Sequence, residues 1–395
     1  MKAYVLPSDK IIDPLEEPAR DCLIANKPLK ELQCQVLTKL GLEIVLVNDI
    51  SEIDDEGEYI LFCDNLYFTE ALMAEFISRA RVNADFSICA LKIGTTTRLT
   101  AINLQEVKIH SHHVEYQLYY YPPRHWRTGS GNGIVIIDPD YLSFSIAMPY
   151  HMCGGDEYPV SLTEKLIVQI DHWVNLWIAN VLTTLSGVAK LKSSSKLSQL
   201  WLAIKARSFN QWKILKQINK IGNNCDIDPT AIVEGSIIGD NVTVGAGAVI
   251  RCSIIGDRVN IGNNVVIEES VIGDKSTVLS GHIIYSVLYP SSFSVSGFVT
   301  ASLMGRETFA GAGSVMTDFR FDNRNVIIVQ NGRPVDSGNR FLGSCLGHGS
   351  YLGSGCVVAP GRSIPAGLHI VMDNSRVIHN PNDLNQIEGF RIIHQ

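Results

Sequence analysis

The chain is most easily bounded by what it lacks. Its nine cysteines are scattered, odd in number and contain no Cys-x-x-Cys pair. That excludes a small secreted disulfide framework and leaves a zinc site without support, so reduced thiols in a cytoplasmic setting are expected. No run approaches eighteen consecutive apolar residues, which excludes a membrane-spanning helix of the ordinary kind. The first residues show no basic, apolar, small-residue order of a secretory signal. A formal net charge of −7 gives no overall basic footprint, so neither nucleic acid nor a membrane is an expected partner.

What is present is a repeat. Val233-Glu-Gly-Ser-Ile returns as Ile250-Arg-Cys-Ser-Ile and as Ile267-Glu-Glu-Ser-Val, while Ile238-Gly-Asp-Asn-Val returns as Ile255-Gly-Asp-Arg-Val and Ile272-Gly-Asp-Lys-Ser. The inward steps are Ile221, Ile227, Val233, Ile238, Val244, Ile250, Ile255, Ile261, Ile267, Ile272 and Val278, two steps of six residues and one of five per coil. A seventeen-residue period of this kind predicts a three-sided parallel β-helix, each coil stacked on the last. Aliphatic, mostly β-branched residues suit the inside of short strands, and Gly and Asn turn the corners. The pattern breaks over 279–303, resumes at Met304 and Ala310, breaks again over 318–343, and returns at Leu346, Leu352, Val358 and Ile364. Within the second break, 326–330 followed by Asn331-Gly332 predicts a strand and a turn. Insertions in a solenoid map to loops on one face, often a binding face, so both breaks are candidate sites of function.

The first half alternates short apolar runs at 3–6, 44–47, 59–63, 86–91 and 133–137 with helical patterns at 29–40 and 69–80, an α/β doubly wound arrangement. A helical run is expected at 162–185. From 190 to 220 there are eight Lys or Arg and no acid, with Leu200, Trp201, Ile204, Trp212, Leu215 and Ile218 as an apolar stripe. A basic amphipathic helix can lie on an anionic surface, but a helix packed between two domains is the simpler expectation. The expected organisation is therefore an α/β domain at 1–188, a basic linker at 189–220, a β-helix at 221–380 with an inserted loop at 318–343, and a tail at 381–395.

Ile24-Ala-Asn-Lys-Pro-Leu29, Tyr59-Ile-Leu-Phe-Cys-Asp64 and His172-Trp-Val-Asn-Leu-Trp-Ile-Ala-Asn180 resemble segments of the sugar-phosphate nucleotidyltransferases. Gly311-Ala-Gly-Ser-Val-Met-Thr-Asp-Phe-Arg-Phe-Asp322, Ser337-Gly-Asn-Arg-Phe-Leu-Gly343 and Gly347 resemble the acetyltransferase part of the bifunctional uridyltransferase and glucosamine-1-phosphate acetyltransferase, archaeal type. The resemblance implies that the β-helix is left-handed and the assembly a homotrimer. It also implies acetyl-CoA or another acyl-CoA as co-substrate, a sugar phosphate or nucleotide sugar as partner, and Mg²⁺ only for an active N-terminal domain. Asp64 stands where the family holds metal and nucleotide, and Lys27 where it holds phosphate; the alternatives are a strand-end cap and a helix-entry residue.

The sequence departs from that family at two places. The first strand runs into Pro7-Ser-Asp-Lys-Ile-Ile-Asp-Pro14, which has no glycine to cradle a triphosphate. The second half lacks the family's histidine in 295–302, and Asp318 replaces an asparagine. His282, His348 and Asp318 are left as candidate bases, each also readable as an ordinary corner or loop residue. Arg320, Arg324, Arg333 and Arg340 suit the phosphates of a sugar or CoA, or a solvated loop. The expected function is acyl transfer from CoA to an amino-sugar phosphate or nucleotide sugar. The alternatives are a sugar-1-phosphate nucleotidyltransferase and a non-catalytic sugar-nucleotide-binding regulator or scaffold.

Overall fold

The computed structural model describes residues 1–373 apart from 54–55, 84, 124–132, 154 and 331, so the expected tail at 381–395 lies outside the described residues. The N-terminal half is an α/β domain. Its main sheet has the spatial order Gly133–Ile137, Ser87–Lys92, His113–Tyr121, Tyr59–Cys63, Lys2–Leu6, Glu43–Leu46. Lys2–Leu6 is parallel to both of its neighbours, as a doubly wound sheet requires. His113–Tyr121 is antiparallel to both of its own and makes the sheet mixed. That strand follows from strict alternation, with Val114, Tyr116, Leu118 and Tyr120 buried and the residues between them half-buried. Helices Leu29–Lys39 and Glu70–Asn83 cover the sheet with Leu37, Leu72, Met73, Phe76 and Ile77.

The helical run expected at 162–185 divides in two. Ile167–Gln169 is a strand paired antiparallel with Leu66–Phe68, its β-branched residues taking the sheet edge, and the helix itself spans Trp173–Thr184. Of the helix residues only Thr183 is not buried. A helix apolar all round must be covered all round, and this one lies between the two halves of the molecule.

The second half is the left-handed parallel β-helix: three parallel sheets of eight, eight and seven short strands, each strand paired with its counterpart one coil on. Val244, Ile250, Ile255, Ile261, Ile267, Ile272 and Val278 all point into one core and are at most 2% exposed. The expected break at 279–303 is continuous coil. The period shortens there from seventeen to sixteen, so that Ile283 pairs with Val299 and Val278 with Ser294. The aliphatic pattern is lost because an inward position is filled by Ser294, fully buried among the stacked strands.

One corner is held by a ladder of hydroxyls. The amides of Ser253, Ser270, Ser286, Ser302 and Ser344 each donate to the Oγ of the serine one coil earlier, at 2.9–3.2 Å. The last rung spans the insertion, from Ser302 to Ser344. At a second corner the amides of Asn223, Asp240 and Asp257 donate to the aspartate carboxylate one coil later. Glycine is required beside it, since a Cβ on Gly256 would sit 2.8 Å from the Asp274 amide nitrogen.

The three faces of the solenoid differ. Val271, Val287, Leu303 and Cys345 point outward on one face yet are at most 1% exposed, because the N-terminal domain packs on them. A second face carries Phe293, Phe309, Tyr351 and His369 in successive contact, and the third carries outward Ile232, Val249, Val266, His282 and Phe298. The linker forms helices Ser186–Ser193, Lys196–Ala206 and Gln211–Leu215. Its apolar stripe is not uniformly packed as expected: Leu215 is buried against the first coils, but Leu200, Trp201 and Ile204 are 48–65% exposed. The middle helix packs chiefly on Gln211–Leu215 and the turn that follows it, and it buries only Ala203. No helix among the described residues is long and apolar enough to cross a membrane.

Candidate functional site

In a doubly wound sheet a ligand is expected at the carboxyl ends of the strands where their order reverses, here between Lys2–Leu6 and Tyr59–Cys63. Asp64 closes the second strand. Its Oδ1 accepts the Ser8 amide at 2.9 Å and its Oδ2 lies 3.6 Å from Arg20 Nη1. Below it Gln33, on the first helix, donates to the Asp64 and Leu66 carbonyls.

A second carboxylate, which sequence reasoning missed, joins it. Asp171 follows strand Ile167–Gln169; its Oδ1 accepts from Asn65 Nδ2 at 2.8 Å and its Oδ2 from the Glu106 amide at 2.6 Å. Lys10 Nζ lies 2.5 Å from Glu106 and 3.9 Å from Asp171. Burial is the main cause raising the Asp171 carboxyl, with the hydrogen bond from Glu106 and the Lys10 charge opposing it. The signal was available in Gln169-Ile-Asp171-His172: an acid at a strand end just before a helix. His172 beside it is a buried N-cap whose Nδ1 accepts the Val174 amide, and burial lowers it to about 4, so it stays neutral.

The segment where a phosphate loop would lie has another form. Ile11–Ile12 pairs with Glu17–Pro18 in a small hairpin. Ile12 and Leu15 are at most 1% exposed, inside the apolar cluster shared by the two domains. Glu17 reaches across to the β-helix, pairing with Arg306 at 2.7 Å and His348 Nε2 at 3.3 Å. A loop that cradles phosphate must present its amides outward; the Ser8 amide turns inward onto Asp64 instead. Lys27, in the short strand Lys27–Pro28, is engaged by Gln35 and Glu31 of the helix that follows.

The candidates of the second half lie in different surroundings. His348 accepts the Arg306 amide on Nδ1 at 2.8 Å, which leaves Nε2 to carry the proton toward Glu17, so it belongs to the domain seam. His282 is half-buried on an outer face beside Phe298. Asp318 and Arg340 lie in the stem of the insertion, where Phe319 pairs with Phe341 and the Leu342 amide donates to the Asp318 carbonyl. Burial chiefly raises the Asp318 carboxyl, against a hydrogen bond from Thr300. Arg340 Nη1 is buried with no hydrogen-bond partner among the described residues. Arg320 pairs with Asp322, the Arg324 amide donates to the same carboxylate, and Arg333 is exposed on the inserted hairpin.

That hairpin, Ile327–Gln330 with Arg333–Asp336, is the strand and turn expected there. It grips the N-terminal domain: Val326, Ile328 and Leu342 enter the shared cluster, Asn103 donates to the Asp336 carbonyl and Asn339 to the Leu99 carbonyl.

The chain thus joins an α/β domain to a left-handed β-helix. Residues 211–296, the last linker helix and the first coils, match the family model described as the GMPPB C-terminal domain. No curated protein matches the chain.

Proposed function

We propose that this chain is a non-catalytic relative of the sugar nucleotidyltransferases, a subunit that binds a sugar phosphate or nucleotide sugar and holds an assembly together. The observation that carries this reading is the hairpin after the first strand. Its residues are committed to the domain seam through Ile12, Leu15 and Glu17, where a catalyst needs a free, amide-lined loop. Asp64 and Asp171 are supplied with internal donors and cations, which lowers their capacity for Mg²⁺. Arg20, half-exposed beside Asp64, and Lys10, near Asp171, give the cleft its means of holding a phosphate.

The test pairs two measurements. The purified chain with Mg²⁺, a nucleoside triphosphate and a sugar 1-phosphate should release no pyrophosphate above background. Nucleoside diphosphate sugars should raise its melting temperature, less so in Arg20→Ala. Asp64-dependent pyrophosphate release, or the absence of any shift across a panel of nucleotide sugars, would overturn the reading.

A second reading, acyl transfer in a homotrimer with acyl-CoA as co-substrate, is favoured by Asp318 and Arg340: a carboxyl raised toward the range of a base and a guanidinium nitrogen buried without a partner. It requires free thiol to appear when acetyl-CoA and glucosamine 1-phosphate are added, and that release to fall in Asp318→Asn.

A further inference from the structure

The N-terminal domain contains a cluster of metal-ligating side chains distinct from Asp64 and Asp171 of the cleft. In Lys108-Ile-His110-Ser-His-His113-Val-Glu115 the strands Lys108–Ile109 and His113–Tyr121 form a tight hairpin, closed by the His110 amide donating to the His113 carbonyl at 2.9 Å. His113 and Glu115 are two apart on one strand, so they share a face. The turn brings His110 over them, its ring 4.5 Å from that of His113 and within 14° of parallel. His110 Nε2 lies 3.0 Å and His113 Nε2 3.5 Å from the same oxygen, Glu115 Oε1, and all three ligand atoms fall within 4.8 Å of one another.

We propose that this hairpin tip is a binding site for a divalent transition metal of the zinc type, held by His110, His113 and Glu115. Two imidazoles and one carboxylate are the ligand set such an ion takes, in a site that leaves one position open. With bonds of about 2.0–2.1 Å, the edge of a tetrahedron is roughly 3.3 Å, and the two nitrogen-to-oxygen separations bracket that value. The strongest indication is His113 Nε2. It is buried and has no hydrogen-bond partner among the described residues, yet it faces a carboxylate oxygen. A buried ring nitrogen without a hydrogen bond, 3.5 Å from a carboxylate oxygen of Glu115, itself only 11% exposed, is an arrangement that a cation between the two would satisfy.

His110 is 44% exposed, so the hairpin tip is accessible to solvent. Of the lysines registered opposite these strand residues, Lys92 is held by Asp138, and Lys108 stands across from Glu115. The same strand face continues to Gln117, which accepts from Cys63 and donates to the Glu106 carbonyl, so the tip lies in line with the cleft. Cysteine spacing gave no hint of this site because no cysteine takes part. It does not depend on the function proposed above.

The experiment uses the full chain, stripped with a chelator and titrated with Co²⁺ alone and then with Zn²⁺ as competitor. One equivalent of Co²⁺ should develop visible d–d absorption without a thiolate charge-transfer band, be displaced by Zn²⁺, and be lost in His113→Asn and in Glu115→Gln but kept in Asp64→Asn. The melting temperature of the metal-free variants, compared with that of the metal-free parent, shows that the fold is retained. A thiolate band, unchanged binding in both variants, loss of binding in Asp64→Asn, or no stoichiometric binding would each overturn the assignment.

Discussion

Tyr289 of the β-helix and Leu23 of the N-terminal domain bond to each other twice. The Leu23 amide donates to the tyrosine oxygen at 2.7 Å, and the tyrosine hydroxyl donates to the Leu23 carbonyl at 3.2 Å. Leu23 thus takes a side chain 266 residues away as its hydrogen-bonding partner, and both groups are buried. Arg306 lies over the same ring, 5.2 Å from its centroid, and carries the ion pair to Glu17. The two domains share one apolar core stitched by polar bonds and unfold as a unit if that seam governs stability.

Tyr289→Phe tests this. The ring stays and the two bonds go; the Leu23 carbonyl keeps Asn180 Nδ2 at 2.9 Å, but the buried Leu23 amide is left without a partner, at a cost of about 1–2 kcal/mol. Urea unfolding should show a lower midpoint with one transition for both domains. An unchanged midpoint would mean that the seam is wet.

Glu17→Gln should act locally. It removes the charge that pairs with Arg306 and meets His348, contacts at a half-buried edge where such pairs contribute about 1 kcal/mol or less. Hydrogen exchange should quicken over residues 7–18 and leave the coils around 250–278 unaltered. If exchange in the hairpin does not change, the apolar residues Ile12 and Leu15 hold it without help.

The coils were legible in the sequence because one physical demand, an aliphatic residue inward at each step, repeats at fixed spacing from Val233 to Val278. Ser294 breaks that signal without breaking the coil, since a small hydroxyl can be satisfied among stacked backbones, and the inward pattern therefore reads as broken over 279–303. The alternating strand His113–Tyr121 was equally readable and was missed, although Val114, Tyr116, Leu118 and Tyr120 mark it plainly. The missing phosphate loop was visible in Pro7–Pro14, but its new use was not. That use is defined by Arg306 and His348, about 290 and 330 residues further along the chain. The insertion behaves likewise: its strand and turn follow from local residues, while its grip on Leu99 and Asn103 belongs to the tertiary structure.

The serine ladder makes a graded prediction. Ser270 Oγ donates to the Glu268 carbonyl at 2.7 Å and accepts the Ser286 amide at 2.9 Å, both inside the stack. Ser270→Ala leaves a buried amide unpaired and should cost about 1–2 kcal/mol. Exposed Ser280, whose Oγ reaches only the Val295 carbonyl, serves as the control, and Ser280→Ala should stay within about 0.5 kcal/mol. Equal losses at the two sites would deny the ladder a structural role.

Glu269 makes stability fall as pH rises. It sits at a coil corner with positive φ, where burial raises its carboxyl from 4.5 to about 7, the charge of Glu268 adding to the effect and Arg251 opposing it. Below pH 4.5 the group is protonated in both folded and unfolded chains and has no effect on the balance. Between 4.5 and about 7 the unfolded chain has released the proton while the folded one keeps it, so the folded state binds more protons and loses stability with each step in pH. Above that window the full penalty is present. Glu269→Gln should therefore match the parent at pH 4 and exceed it at pH 8, by on the order of 2–3 kcal/mol. Urea unfolding of both proteins at pH 4, 6 and 8 measures the gap. A difference of the same size at pH 4 as at pH 8 would assign it to packing at the corner and not to the buried charge.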